Sequence, residues 1–232
     1  MHFHLPKPLH GWREFAGEVG IIVLGVLIAL GFEQVAQAVH DRFLAAQARD
    51  AIRAEVRENL WWVERREAYE PCIDQLLTDL RTVLTRARTG QPTPLLTNVD
   101  FPVHSKITSL RWDANAEAGR ASLFAEDEQR VLGNMYYTTE EYRASQAQEE
   151  TVWAKMAFVE GVEHFTPLDI HDLSVLLAEA RYRNFMAELD IRRAHQWAAK
   201  LHLTAANPNS VEKINVSVAP ACPSLTSPPT QN

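Results

Sequence analysis

The most apolar part of the chain lies near its N-terminus. Residues 19–32 carry no charge and no strongly polar side chain. As a helix this run spans about 21 Å, whereas a bilayer-spanning helix needs about 20 residues, or about 30 Å. Extension to residues 15–39 supplies the length and places Glu18 and Glu33 near the two interfaces, where a charge costs less than at the bilayer centre. We therefore predict a transmembrane helix over residues 15–39.

Two other interpretations fit the same segment. A soluble bundle would bury it as a core helix. A cleaved signal peptide would use Lys7 and Arg13 as its basic start and the small residues at 36–38 as its cleavage site. Against cleavage, the helical apolar pattern continues through Val39 and Phe43 without a turn-forming residue. We therefore favour the uncleaved anchor.

The distribution of cations predicts the orientation of this anchor. Lys7 and Arg13 precede the apolar segment, and the first cation after it is Arg42, which follows Asp41 directly. Positive charge is enriched on the cytoplasmic side of membrane helices. We therefore expect a single-pass protein with a short cytoplasmic tail at residues 1–14 and an exported C-terminal domain.

Small residues recur at four-residue spacing in the anchor. Ala16 pairs in this way with Gly20, and Gly25 pairs with Ala29. Such pairs let two helices approach closely in lipid. The pattern predicts a weak homodimer through the anchor.

Downstream of the anchor, apolar residues recur every three or four positions, which is the period of a helix. Ser105 is the expected N-cap of a short helix, and Pro71 and Pro167 mark helix starts, because proline is favoured in the first turn. No strand pair is apparent. The predicted helices cover residues 43–66, 71–88, about 105–119, about 126–159 and 167–201.

These elements predict an all-α protein. An N-terminal transmembrane helix is followed by an antiparallel, four-helix-like bundle over residues 40–203. The last residues, 204–232, form a tail rich in proline and serine.

Two stretches of the chain resemble a group of bacterial proteins. Residues 7–35 read KPLHGWREFAGEVGIIVLGVLIALGFEQV, and residues 109–137 read SLRWDANAEAGRASLFAEDEQRVLGNMYY. They are similar to proteins that have a single N-terminal membrane anchor and no established activity. The resemblance implies a bacterial membrane protein with a helical body, and it implies no activity.

Composition and motifs narrow the function further. The formal net charge is −7, which argues against a nucleic-acid binder, because such proteins carry a basic face. The sequence has no nucleophile elbow, phosphate-binding loop or dinucleotide fingerprint. We therefore expect a non-enzymatic protein without a cofactor, whose partners are the lipid bilayer and an unidentified protein that it binds or scaffolds. The alternatives are a sensor-like bundle that binds a small ligand and a metal-dependent enzyme around His164.

One cluster has residue types that bind metals. Glu160 and His164 are four positions apart, so a helix would place them on one face, and the break at Pro167 would bring His171 towards them. Carboxylate and imidazole groups suit divalent metals. A solvated turn between helices explains the same residues.

Trp61 and Trp62 are candidates for a partner surface. Adjacent residues on a helix diverge by about 100°, so at least one ring leaves the buried stripe. That ring either packs under a neighbouring helix or forms a binding hot spot, where tryptophan is enriched.

The chain has two cysteines, Cys72 and Cys222. Cys72 lies at the start of a predicted helix and Cys222 lies in the tail. In an oxidising compartment a disulfide between them would fix the tail to the bundle. The alternative is two unrelated thiols.

Overall fold

The computed structural model describes residues 11–99 and 104–206, together with Cys222 and Leu225. Most of the predicted cytoplasmic tail and most of the predicted C-terminal tail therefore lie outside the described residues. Within these ranges the regular structure is helical, and one isolated bridge joins Leu96 to Glu160. The all-α prediction is confirmed.

The described part of the chain forms four long α-helices and one short one, because the predicted segments at 15–39 and 43–66 are one continuous helix. Short 3₁₀ turns follow the third helix at Arg120–Leu123 and the fourth at Ala157–Val159. The α-helices are α1 (Trp12–Ala68), α2 (Glu70–Arg88), α3 (Leu110–Glu117), α4 (Glu126–Met156) and α5 (Pro167–Lys200).

Helix α1 runs without a break from the apolar segment into the bundle. Its 57 residues span about 85 Å, and burial against the other helices begins at Ala45. Among the described residues α1 is the one helix that is long and apolar enough to cross a membrane. None of its most apolar window is buried against the rest of the protein. Within the described chain the segment is therefore not buried as a core helix.

The starts of α2 and α5 follow from local sequence. Pro71 lies in the first turn of α2. Proline lacks a backbone N–H, and N–H groups in the first turn of a helix have no carbonyl partner within that helix, so no hydrogen bond is lost. Thr166 and Asp169 cap α5 reciprocally: Thr166 Oγ1 accepts from the Asp169 N–H at 3.2 Å, and Asp169 Oδ2 accepts from the Thr166 N–H at 2.8 Å. This capping box satisfies two backbone donors at the helix start.

Helix α3 begins at Leu110 and not at the predicted cap Ser105. Its N-terminal N–H groups are bonded by a carboxylate from α1: Glu55 accepts from the N–H of Arg111 at 2.7 Å and of Trp112 at 3.1 Å. Ser105 instead lies 3.3 Å from the Tyr142 hydroxyl. The prediction was wrong because the cap comes from a residue 56 positions away in the chain.

The body buries two separate apolar clusters. One lies on the side of the apolar N-terminal segment and is built mainly from α1, α4 and the C-terminal half of α5. The other lies on the far side and is built mainly from α2, the end of α4 and the N-terminal half of α5. Each fully buried Leu or Ile in them contributes about 1.5–3 kcal/mol. Fully buried examples are Ile52, Leu60 and Leu132 in the first cluster and Ile73, Leu80 and Leu173 in the second.

Candidate functional site

A layer of polar and charged side chains lies between the two apolar clusters. Arg66 of α1 is 1% exposed. Its Nη1 lies 2.5 Å from Glu70, and its Nη2 lies 3.1 Å from Glu149 of α4 and 2.7 Å from the Asn184 carbonyl of α5. The Asn184 amide donates in turn to Glu70. We call these four residues the ionic layer, and it joins all four long helices.

The ionic layer has one guanidinium for two carboxylates. Burial raises the pKa of the Glu149 carboxyl, although Arg66 opposes this effect. Burial likewise raises the pKa of Glu70. Burial alone would lower the pKa of Arg66, but Glu149 and Glu70 together raise it above its ordinary value. The arginine therefore stays charged, and the carboxyl pair takes up a proton more readily than a free glutamate.

The ionic layer also sets the rotation of α5. Asn184 is held inward by its bonds to Arg66 and Glu70. Each residue of a helix is turned by about 100° from the one before it. With Asn184 inward, Tyr182 and Phe185 are turned towards solvent, where each is more than half exposed.

The outer face of α5 carries a row of exposed apolar side chains, which we call the α5 seam. Its spacings of seven, three, four and three are those of the a and d positions in a heptad repeat. The four larger members are 52–67% exposed. The seam consists of Leu168, Val175, Ala178, Tyr182 and Phe185.

Helix α5 is apolar on its inner face as well. Leu173, Leu177, Ala180 and Ala187 are buried there. A helix that is apolar on two faces is usually covered on both. In α5 one face packs into the bundle and the other is open.

Clefts flank the α5 seam on both sides. A cleft of about 350 Å³ lies towards α2, with Leu77, Arg81 and Phe185 among its lining residues. A second, of about 230 Å³, lies towards α4, with Tyr182 and Met186 among its lining residues. A helix laid on the seam would place its own side chains in such grooves.

The predicted metal-binding residues are not brought together. Helix α4 ends at Met156, so Glu160 and His164 lie outside it and do not share a helix face. The 3₁₀ turn after α4 ends at Val159 and Glu160 is extended, after which Gly161 adopts a φ of 69° and donates its N–H to the Leu96 carbonyl at 3.1 Å. That part of the prediction is wrong.

The surroundings of these three residues differ. Glu160 accepts a hydrogen bond from the Val99 N–H at 2.5 Å. His164 is exposed at the rim of a surface cleft beside Phe165, and His171 is exposed on α5. Among the described residues no group of three His, Cys, Asp or Glu side chains is placed to hold a metal ion.

The two tryptophans form a packed pair and not an open surface. Trp61 is 5% exposed, and its ring lies edge-on to Trp62 at 4.6 Å. The Arg65 guanidinium covers both rings at 5.8 and 5.4 Å. Trp62 is half-buried against the first apolar cluster.

The sequence analysis did not predict the α5 seam. Its signal, a second set of apolar residues at helical spacing on α5, is nevertheless present in the sequence.

Two described residues of the predicted tail, Cys222 and Leu225, are fixed to the far side of the body. Cys72 and Cys222 form a disulfide with a Cα–Cα distance of 5.0 Å. Leu225 is buried in the second apolar cluster, and its carbonyl accepts from the Thr97 N–H at 2.8 Å. A residue of the predicted tail is therefore part of the core.

The candidate functional features of the described body are thus the ionic layer, the α5 seam and the attachment of Cys222 and Leu225. Their arrangement is the basis for assigning a role. No protein-family model, curated protein or solved structure matches the chain.

Proposed function

We propose that this protein is a single-pass protein of a bacterial inner membrane whose periplasmic helical body binds a protein partner through the α5 seam and catalyses no reaction. The observation that carries the proposal is the seam itself, an exposed apolar row on a helix whose opposite face is already buried. Large exposed apolar patches mark interaction sites in soluble domains.

The anchor part of the proposal rests on α1. Its apolar segment is exposed over its whole circumference, as a helix surrounded by lipid would be. The anchor and the body share one continuous helix, so the body would stand close to the bilayer surface.

The periplasmic assignment rests on two observations. Lys7 and Arg13 precede the apolar segment, which favours a cytoplasmic N-terminus. The disulfide between Cys72 and Cys222 lies in the part of the chain that follows the apolar segment, and so on the other side of the membrane from Lys7 and Arg13. Disulfides persist in oxidising compartments such as the periplasm and are rare in the cytoplasm.

The interior of the body favours partner binding over an internal ligand site. Both apolar clusters are filled by side chains. In the ionic layer Arg66, Glu70, Glu149 and Asn184 bond to one another. Tyr182 and Phe185, in contrast, belong to residue types that carry binding energy at interfaces and are open to solvent.

Photocrosslinking in intact membranes tests the proposal. A benzophenone amino acid replaces Tyr182 in the seam, and in a matched variant it replaces Thr82 on the exposed side of α2. We expect roughly ten-fold more protein adduct from position 182, because interface residues lie in direct contact with the partner. Equal adduct yields at the two positions would contradict the proposal.

A further inference from the structure

The α5 seam has the features of a surface that pairs with its own copy. We propose that its occupant is a second copy of this chain, with the two α5 helices packed parallel and in register. This inference rests on the proposed function and names the partner.

The seam supplies apolar residues at five of the six a and d positions from 168 to 185, and the sixth, a d position, is His171. Leu168, Val175 and Tyr182 occupy a positions, and Ala178 and Phe185 occupy d positions. In a parallel, in-register pair each of these residues meets its own counterpart. The layers from 168 to 185 extend over about 26 Å of helix.

Directly after the seam, beyond Phe185, the charges at the g and e positions are complementary in this arrangement. In a parallel pair a g residue lies near the e residue five positions later on the other helix. This rule places Glu188 near Arg193 of the second copy, and Arg181 near an uncharged Met186. The side chains of Glu188 and Arg193 are 35% and 43% exposed, so both are accessible.

The Glu188 and Arg193 side chains already have partners within each copy, and the new ion pair is added to these contacts. Arg193 lies 3.0 Å from the buried Asp190 and 3.6 Å from Glu141 of α4. Glu188 lies 3.4 Å from Arg192 and accepts a hydrogen bond from the Asn184 amide at 3.5 Å. A guanidinium has five N–H donors and a carboxylate has two acceptor oxygens, so each side chain has capacity left for a charge on the second copy.

The membrane anchor selects the parallel direction. α5 runs back towards the anchor side of the body, where Arg53 of α1 donates to the Leu201 carbonyl at 3.0 Å. Two parallel α5 helices leave both anchors pointing the same way, as one bilayer requires. An antiparallel pair would point the anchors in opposite directions. Confinement to one membrane also raises the effective concentration of the second copy.

Thiol crosslinking of the full chain in membranes tests the pairing. Ala178→Cys and Phe185→Cys place a thiol in the seam, and Thr82→Cys places one on the exposed face of α2. Cys72 and Cys222 are bonded to each other, so the introduced thiol is the reactive one. A short bismaleimide should give at least about ten-fold more dimer at 178 and 185 than at 82, because identical seam positions face each other.

A second variant tests whether the crosslinked dimer forms through the seam or by random collision of two chains. Tyr182→Glu in the Ala178→Cys background should lower the dimer yield at least about five-fold, because it buries a charge in the interface. Gln75→Glu, on exposed α2, should leave the yield unchanged. Dimer at 178 and 185 no higher than at 82 would overturn the inference.

The photocrosslinking at position 182 distinguishes failure of the second-copy inference from failure of the proposed function. Adducts of a different mass, with no thiol dimer, would mean that the seam binds another protein, so the proposed function would stand and the second copy would be excluded. The absence of both adduct and dimer would overturn the inference and the proposed function together.

Discussion

The side-chain carbonyl of Asn184 accepts a hydrogen bond of 2.7 Å from Arg66, a residue 118 positions earlier in the chain. The bond joins α5 to α1 in the middle of the body, where both side chains are buried. It holds Asn184 inward, and the seam residues Tyr182 and Phe185 consequently face outward. The polar layer inside the body and the apolar surface outside it are two consequences of one helix rotation.

Loss of the buried cation should destabilise the body strongly. Arg66→Met leaves Glu70 and Glu149 without their shared partner, and removal of one member of a buried ion pair costs about 3–5 kcal/mol. We expect a decrease of this size in the free energy of unfolding, measured by urea denaturation of the full chain in detergent.

The matched control for this substitution is Arg143→Met. Arg143 lies 2.7 Å from Glu140 on the surface of α4, and both side chains are about half exposed. Exposed ion pairs contribute about 0–1 kcal/mol. Similar losses for the two variants would show that the ionic layer has no special role in stability.

The carboxyls of the ionic layer predict how stability depends on pH. The pKa values of Glu149 and Glu70 are raised above the ordinary value of 4.5. Between 4.5 and the raised values the folded state binds more protons than the unfolded state. Their contribution to stability is therefore fully present below pH 4.5 and is lost as the pH rises through the folded pKa.

We therefore expect the body to be more stable at about pH 5.5 than at about pH 8. Glu149→Gln should flatten this dependence, because it removes one titrating group and keeps a hydrogen-bond acceptor. Burial also raises the pKa of Asp190, so a weaker slope should remain. Urea denaturation at the two pH values measures the difference, and an unchanged slope in Glu149→Gln would exclude this carboxyl as its source.

Reduction of the disulfide should release the C-terminal segment. The bond between Cys72 and Cys222 closes a loop with a sequence separation of 150, for which the chain-entropy model gives about 5 kcal/mol. We expect Cys72→Ser to lower stability by up to this amount. Limited proteolysis near Leu225 should become faster, because that side chain would leave the second cluster.

Thiol labelling supplies the control for this prediction. Neither cysteine of the wild-type chain in membranes should react with a maleimide until a reductant is added. Two thiols that react without reductant would contradict both the bridge and the periplasmic location.

A charge in the middle of the anchor should prevent membrane insertion. Leu27→Asp replaces a favourable residue by one that costs about 2.5–3.5 kcal/mol at the centre of a membrane helix. We expect the variant to leave the membrane fraction on carbonate extraction, whereas the wild-type chain stays. Gln75→Asp, on the exposed face of α2, is the control, and equal extraction of Leu27→Asp and wild type would contradict the anchor.

Local sequence determined the helices of this protein. The apolar periodicity on α2, the proline at the start of α5 and the uncharged run at residues 19–32 each act within a few residues of the chain. Such short-range patterns therefore predicted where most helices lie, the all-α class and one apolar helix long enough to span a membrane, but not that this helix continues into the body as α1.

Contacts between distant residues were decided only by the tertiary structure. Glu55 accepts a hydrogen bond from the first turn of α3. Arg66 donates hydrogen bonds to Glu149 and Asn184. The chain turns at Gly161 instead of continuing a helix towards His164. The sequence contains all of these residues but does not specify which will meet. Which face of α5 stays open depends on the packing of three other helices, because a helix with two apolar faces can bury either one.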